Sequence, residues 1–173
     1  MRSPFILLLL PLVACVDARE PAPLVDHEAW TPADPAADPW ADHAPAVLDC
    51  SPLSWGAEDE GGLPAFGVDT AACNFLAVVQ PSLAAIAAGD SVSVRLWHYD
   101  LYAGEVAEGH AGLSLGGQVL AEFTVPIPRD AEMLTALVPI DEDVPAGTEI
   151  LFHLHNHGAN SWSLVDVEDR APE

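Results

Sequence analysis

"TEILFHLHNHGANSWSLVDVED", residues 148–169, decides the fold. Side chains of an extended chain alternate between two faces. Over 148–157 this puts Ile150, Phe152, Leu154 and Asn156 on one face, and Leu151, His153, His155 and His157 on the other. The first face is apolar enough to be a core and its period is two, so the stretch reads as a strand. Gly158 suits a positive-φ turn between Asn156 and Asn160. "SWSLVDVED" (161–169) then reads as a second strand, with Trp162 alternating with Leu164 on a core face. The pair is expected to be the last hairpin of a sheet, with the histidines turned away from the core.

The same pattern extends outward. "SVSVRLWHYDL" (91–101) alternates Val92, Val94 and Leu96 against Ser93, Arg95 and Trp97. His98 follows the first set and would emerge at the end of the core, so it need not share a side with the row of three histidines. "GLSLGGQVLAEFTVPIP" (112–128) is two apolar runs around Gly116-Gly117, a hairpin signal. "EMLTALVPI" (132–140) and "NFLAVVQ" (74–80) are further strands, and "VPAG" (144–147) is a turn. "PSLAAIAAG" (81–89) suits either a helical turn or a turn into the next strand. Short strands at this spacing, without helical patterns between them, predict an all-β, antiparallel β-sandwich over residues 49–169.

Two segments resemble a known architecture. "AAGDSVSVRLWHYD" (87–100) looks like a strand of the galactose-binding-like jelly rolls, the fold of many carbohydrate-binding modules. "VPAGTEILFHLHNHGANSWSLVDVED" (144–169) looks like their closing pair, in which an aromatic precedes a segment matched here by Leu164-Val165-Asp166-Val167. The resemblance covers 91–169 and implies a jelly roll. It transfers no sugar-binding residue, since those lie on variable loops.

The chain starts "MRSPFILLLLPLVAC". Arg2 precedes an apolar run from Phe5 to Ala14, too short at ~1.5 Å per residue to cross a ~30 Å hydrocarbon core. It reads as a signal peptide over 1–14. Leu12-Val13-Ala14-Cys15 resembles a bacterial lipobox. That resemblance implies acylation of Cys15 (palmitate among the chains), an N-terminal lipid anchor in the bacterial cell envelope and, with Val16 following, the outer membrane. Residues 15–48 are rich in Pro, Ala and Asp and are expected to form a disordered tether. Trp30 and Trp40 are unusual there and either dock or are incidental. His27 and His43 fall in the same stretch and are not counted as site residues. The two remaining cysteines, Cys50 and Cys73, are expected to form one disulfide, as suits an exported chain. With about 22 residues between them, the link contributes roughly 3 kcal/mol.

Five arginines, no lysine and 27 acidic residues give a formal net charge of −22. Such a chain repels nucleic acid, and no nucleic-acid partner is expected. No phosphate-binding loop or dinucleotide fingerprint occurs. Ser161 and Ser163 lack a nucleophile-elbow context. The carboxylates Asp100, Glu105, Glu108, Asp166 and Glu168 are not fixed as a glycosidase pair by spacing, so no catalytic residue is assigned.

Two functions stay open. The first is a non-catalytic envelope module for a glycan or an envelope protein. Trp97, Tyr99, Asn160 and Trp162, with His155 and His157, would provide aromatic faces for sugar rings and polar groups for hydroxyls. The second is a divalent-metal site, since alternate histidines on a strand can lean onto one ion. His153, His155 and His157, joined by His98 or His110, are its candidates. "PAGTEILFHLHN" resembles the cupin metal motif in part, but Ala159 and Asn160 stand where a cupin places its glutamate. A row of histidines on a merely polar face is the plain alternative to both.

Overall fold

The computed structural model describes residues 19–172, so the signal-peptide and Cys15 expectations fall outside the described residues. Eleven strands run in chain order: β1 (Ala22–Pro23), β2 (Thr31–Pro32), β3 (Trp55–Glu60), β4 (Leu63–Asp69), β5 (Phe75–Pro81), β6 (Ser91–His98), β7 (Ala107–Leu115), β8 (Gln118–Ile127), β9 (Glu132–Pro139), β10 (Glu149–Asn156) and β11 (Ser161–Arg170). They form two antiparallel sheets. The first has the order β3-β4-β11-β6-β9, with β1 also on β11. The second is β2-β5-β10-β7-β8. The chain crosses repeatedly between them in the manner of a jelly roll, and the all-β sandwich expected from the alternation is what forms.

The core follows the same alternation. Val92, Val94, Leu96, Trp162 and Leu164 of the first sheet face Ile150, Phe152, Leu154 and Leu113 of the second, each 2% exposed or less. Gly116 and Gly117 have φ of +58° and +79°, making the expected hairpin turn between β7 and β8. "PSLAAIAAG" is neither helix nor long strand; Ile86 forms an isolated bridge with Val144. The hairpin of β3 and β4 is an addition to the expected strands. Cys50 and Cys73 are disulfide-bonded, as expected.

The tether expected over 15–48 requires correction from Arg19 onward. This segment lies against the sandwich. β1 pairs with β11 at Glu168 and Asp169, beyond the point where β4 has stopped at Leu164. β2 pairs with β5 at the edge of the second sheet, where a proline costs no ladder bond. Leu24 is fully buried. Trp30 enters between the sheets, with ring centroids 5.5 Å from Phe66 and 6.3 Å from Phe152. Two 3-10 turns follow, Pro35–Ala37 and Ala41–His43. Proline prevented helix and central strand, as its chemistry dictates, but apolar burial fixed the segment in place without them.

Candidate functional site

The residues singled out from sequence separate onto opposite sides of the sandwich. Trp97 and Tyr99 lie on the outer face of the first sheet. His110, His153, His155 and His157 lie at the outer face of the second. Trp162, Asn160 and His98 belong to neither face.

Trp162 is buried at 1% exposure, and its Nε1–H donates to Asn156 Oδ1 across the core at 3.3 Å. Asn160 is also buried. Its Oδ1 accepts from the Tyr102 amide at 2.6 Å, and its Nδ2 donates to the His157 carbonyl at 3.2 Å. Gly158 between them has φ +102°, and a Cβ there would stand 2.1 Å from the Tyr102 carbonyl oxygen. The end of "HLHNHGANSW" is therefore a turn closed by its own polar groups, not a ligand lip. His98 is fully buried on the core side, its Nδ1 bonded to the Tyr99 carbonyl oxygen at 2.9 Å and its ring 4.9 Å from Trp162. It is excluded from any set with the other histidines by the thickness of the sandwich.

On the second sheet, register places His155 opposite His110 and His153 opposite Gly112. Bare Gly112 is required here, because a Cβ would come within 2.4 Å of the Trp40 ring. Trp40 thus packs against the sheet at Gly112, its ring 5.4 Å from His153 and 5.8 Å from His110. His153 is fully buried beneath it and bonds Asp38 Oδ2 through Nδ1 at 2.8 Å. His110 bonds Glu122 Oε1 through Nε2 at 2.7 Å, and the His43 ring sits 4.3 Å above it. His155 is half-buried, and His157 is exposed beside it at 4.8 Å. Burial, and then the neighbouring imidazoles of His157 and His153, push His155 down to about 4. Burial also lowers His110, against the opposing pull of Glu122. A cavity of about 850 Å³ borders His43, His110, His155 and His157.

This arrangement works as a dock for residues 38–43. The outward face of the histidines is as the alternation predicts; its cover is not. Among the described residues, no group of three or more His, Cys, Asp or Glu side chains stands so as to hold a metal ion. Of the expected set, His110, His153, His155 and His157 share this face, and His98 lies apart on the core side. Trp40 docks, the first of its two expected alternatives, while His43, set aside as a site residue, and Asp38 join it here; nothing in a Pro-Ala-Asp stretch announces which strand it will cover, and Glu122 of β8 was not singled out either.

The first sheet's outer face carries a different surface. Tyr99 is 46% exposed, and its ring stands at 84° to that of Trp97, with centroids 6.0 Å apart. Next to them lies a cavity of about 420 Å³ bordered by Tyr99, Glu58, Glu60, Asp69, Ser161 and Ser163. The Tyr99 hydroxyl donates to Glu60, and that bond raises its pKa above the usual phenol value. The Ser163 hydroxyl donates to Glu58 Oε1 at 2.6 Å. Glu58 lies across Gly67, where a Cβ would meet its carboxyl group at 2.1 Å. The floor is therefore polar, hydrogen-bonded and low, with an aromatic wall at one side. Glu58 and Glu60 were absent from the expected site; their alternation in "WGAEDE" (55–60) was the available signal.

No family model and no curated protein matches the chain. Among solved structures it is similar to the C-terminal CBM6 of LamC, a marine laminarinase from Zobellia galactanivorans. Identity is 18% over 68% of this chain and 88% of that one, with a TM-score of 0.43. It is also similar to the K3 cleaved adhesin domain of Lys-gingipain from Porphyromonas gingivalis, with 11% identity over 88% and 100% of the two chains and a TM-score of 0.47. A third is TmCBM61 in complex with beta-1,4-galactotriose, with 9% identity over 73% and 88% and a TM-score of 0.43. Likenesses of this degree say nothing about ligand or chemistry here.

Proposed function

We propose that the domain is a non-catalytic binding module that holds a glycan on the outer face of the first sheet, against Trp97 and Tyr99. One observation carries the reading: the solvent-facing Tyr99, set perpendicular to its neighbour Trp97, borders a cavity whose floor is hydroxyl and carboxylate. A sugar ring has apolar C–H faces and a polar rim. It needs an aromatic face for the first and fixed donors and acceptors for the second. Ser161, Ser163, Glu58 and Glu60 supply the latter. The test is retention on a panel of polysaccharides. The native sequence should be retained by at least one, and Trp97→Ala should weaken retention tenfold or more with little change in melting temperature. Retention by none, or a Trp97→Ala variant that binds like the parent, refutes the reading.

The lipobox-like Leu12-Val13-Ala14-Cys15 supports a second element, an envelope lipoprotein anchored through Cys15 at the outer membrane. Three acyl chains exceed what stable anchoring needs. Palmitate labelling in the producing bacterium should be lost in Cys15→Ser; labelling that persists refutes the anchor.

A further inference from the structure

Five of the seven histidines meet ring to ring on the outer face of the second sheet. His110 belongs to β7 and His153, His155 and His157 to β10 or its end; His43 is brought to them by the segment 38–43. That segment is a strap fixed on both sides. Before it, Trp30 is buried and β2 pairs with β5. After it, the Asn74 side chain bonds the Val47 carbonyl and the Asp49 amide, and Cys50 is disulfide-bonded to Cys73. Between those points the amides of Trp40, Ala41, His43 and Ala44 all donate within the strap itself. Its hold on the sheet therefore comes through side chains, those of Asp38, Trp40 and His43.

Two of the covered imidazoles have one nitrogen satisfied and one not. A carboxylate only accepts, so His153 donates from Nδ1 to Asp38 and His110 from Nε2 to Glu122. His153 Nε2 and His110 Nδ1 are buried and have no partner. A proton added to either makes a buried N–H without an acceptor, beside other imidazoles. Asp38 and Glu122 offset one charge each. The strap's other acid, Asp42, is exposed, as are Glu105 and Glu108 at the cavity beside His155, and water screens all three. From β5 the uncharged Phe75 ring faces His153 and His155.

We propose that residues 38–43 are a pH-operated cover: they lie on the second sheet near neutrality and lift, as a loop hinged at both sides, when the imidazoles beneath them take up protons. Lifting admits water to the two unpartnered nitrogens and parts His43 from His110. Burial holds His155 and His110 below the ordinary histidine value, in keeping with a covered state that disfavours the proton. Cover is then complete above the ordinary histidine range and is lost as the pH falls from 6.5 toward about 4. Arg19, Arg95, Arg129 and Arg170 are each already paired with carboxylates. The uncovered face therefore becomes the place where the described chain gathers positive charge.

The test is fluorine NMR of the Cys15→Ser chain labelled with fluorotryptophan and titrated with acid, a chelator being present throughout. Trp40→Phe and Trp30→Phe assign the two resonances that matter. The Trp40 signal should move to the position of an exposed fluorotryptophan with a midpoint between about pH 6 and about pH 4.5, while the Trp30 signal stays in place. His43→Gln keeps a polar side chain and removes one titrating ring, and should lower that midpoint by about half a pH unit or more. His43 is exposed, so this substitution leaves the core intact; His110→Gln is the second variant and should act in the same direction. A Trp40 signal that holds until the Trp30 signal moves with it overturns the proposal, because the strap then leaves only when the fold does. A midpoint unmoved in both variants overturns it as well, because the trigger then lies outside this cluster.

Discussion

His155 shows how one residue's surroundings fix a property of the whole chain. Burial and its imidazole neighbours hold it at about 4, against an ordinary 6.5. Between those values the unfolded chain binds a proton that the folded chain does not. Stability is therefore full above the ordinary histidine range, falls as pH drops from about 6.5 toward 4, and levels off below. His110, also lowered, adds in the same direction. Asp169, raised by burial, acts in the opposite sense, gaining relative stability as the pH falls through the carboxylate range. Allowing for the partial exposure of His155, its share of the loss is about 1–2 kcal/mol. Urea midpoints at about pH 7 and about pH 5 should differ clearly in the native sequence and less in His155→Gln. An unchanged difference would mean that another group sets the acid limb.

Among the elements, the segment from Arg19 to Leu48 is the one whose sequence says least about its place. Its residues have no period, and its prolines exclude the regular forms. Each apolar contact it makes is with a residue far along the chain: Trp30 with Phe66 and Phe152, Trp40 with the bare patch at Gly112. Such pairings carry no local signature. By contrast β10 was legible because one sheet face supplies its whole apolar set, residue by residue, at a spacing of two. The segment's contribution is nonetheless that of a core element. Trp30→Ala should cost roughly 3–5 kcal/mol of unfolding free energy at an unchanged urea slope. A loss below about 1 kcal/mol would show that the segment rests on the sandwich without supporting it.

Taken as a whole, the molecule keeps two chemistries apart. One outer face is covered by residues 38–43 of its own N-terminal segment and carries His110, His153, His155 and His157. The other carries the aromatic pair with its carboxylates, beside a stretch where His27 and its neighbours border Arg95. Trp97 and His155 lie on opposite sheets, so their substitutions should act additively, within about 0.5 kcal/mol. Trp97→Ala should leave the pH dependence of stability untouched, and His155→Gln should leave glycan retention untouched; stability curves and retention of the double variant check both. The separation also explains how far the site could be read in advance. Alternation correctly sets Trp97 opposite Val94 and Leu96, but it cannot say which distant strand lies alongside. Glu58 reaches Ser163 only because β4 and β11 pair in one particular register. His155, His157, Asn160 and Trp162 looked like a cluster because they are close in sequence. Three dimensions place Asn160 in the turn, Trp162 in the core and the two histidines on the outer face of the second sheet.

The docked segment has a consequence for where such a module can work. Thirty-odd free residues would form a leash with a reach on the order of 100 Å. With the chain fastened to the sandwich from Arg19, four peptide steps separate it from Cys15, no more than about 14 Å. On the anchoring proposed above, the module rides at the headgroup surface and does not swing out from it. Any polymer it captures must itself come within one domain's width of the bilayer, so the catch is limited to what reaches the membrane surface.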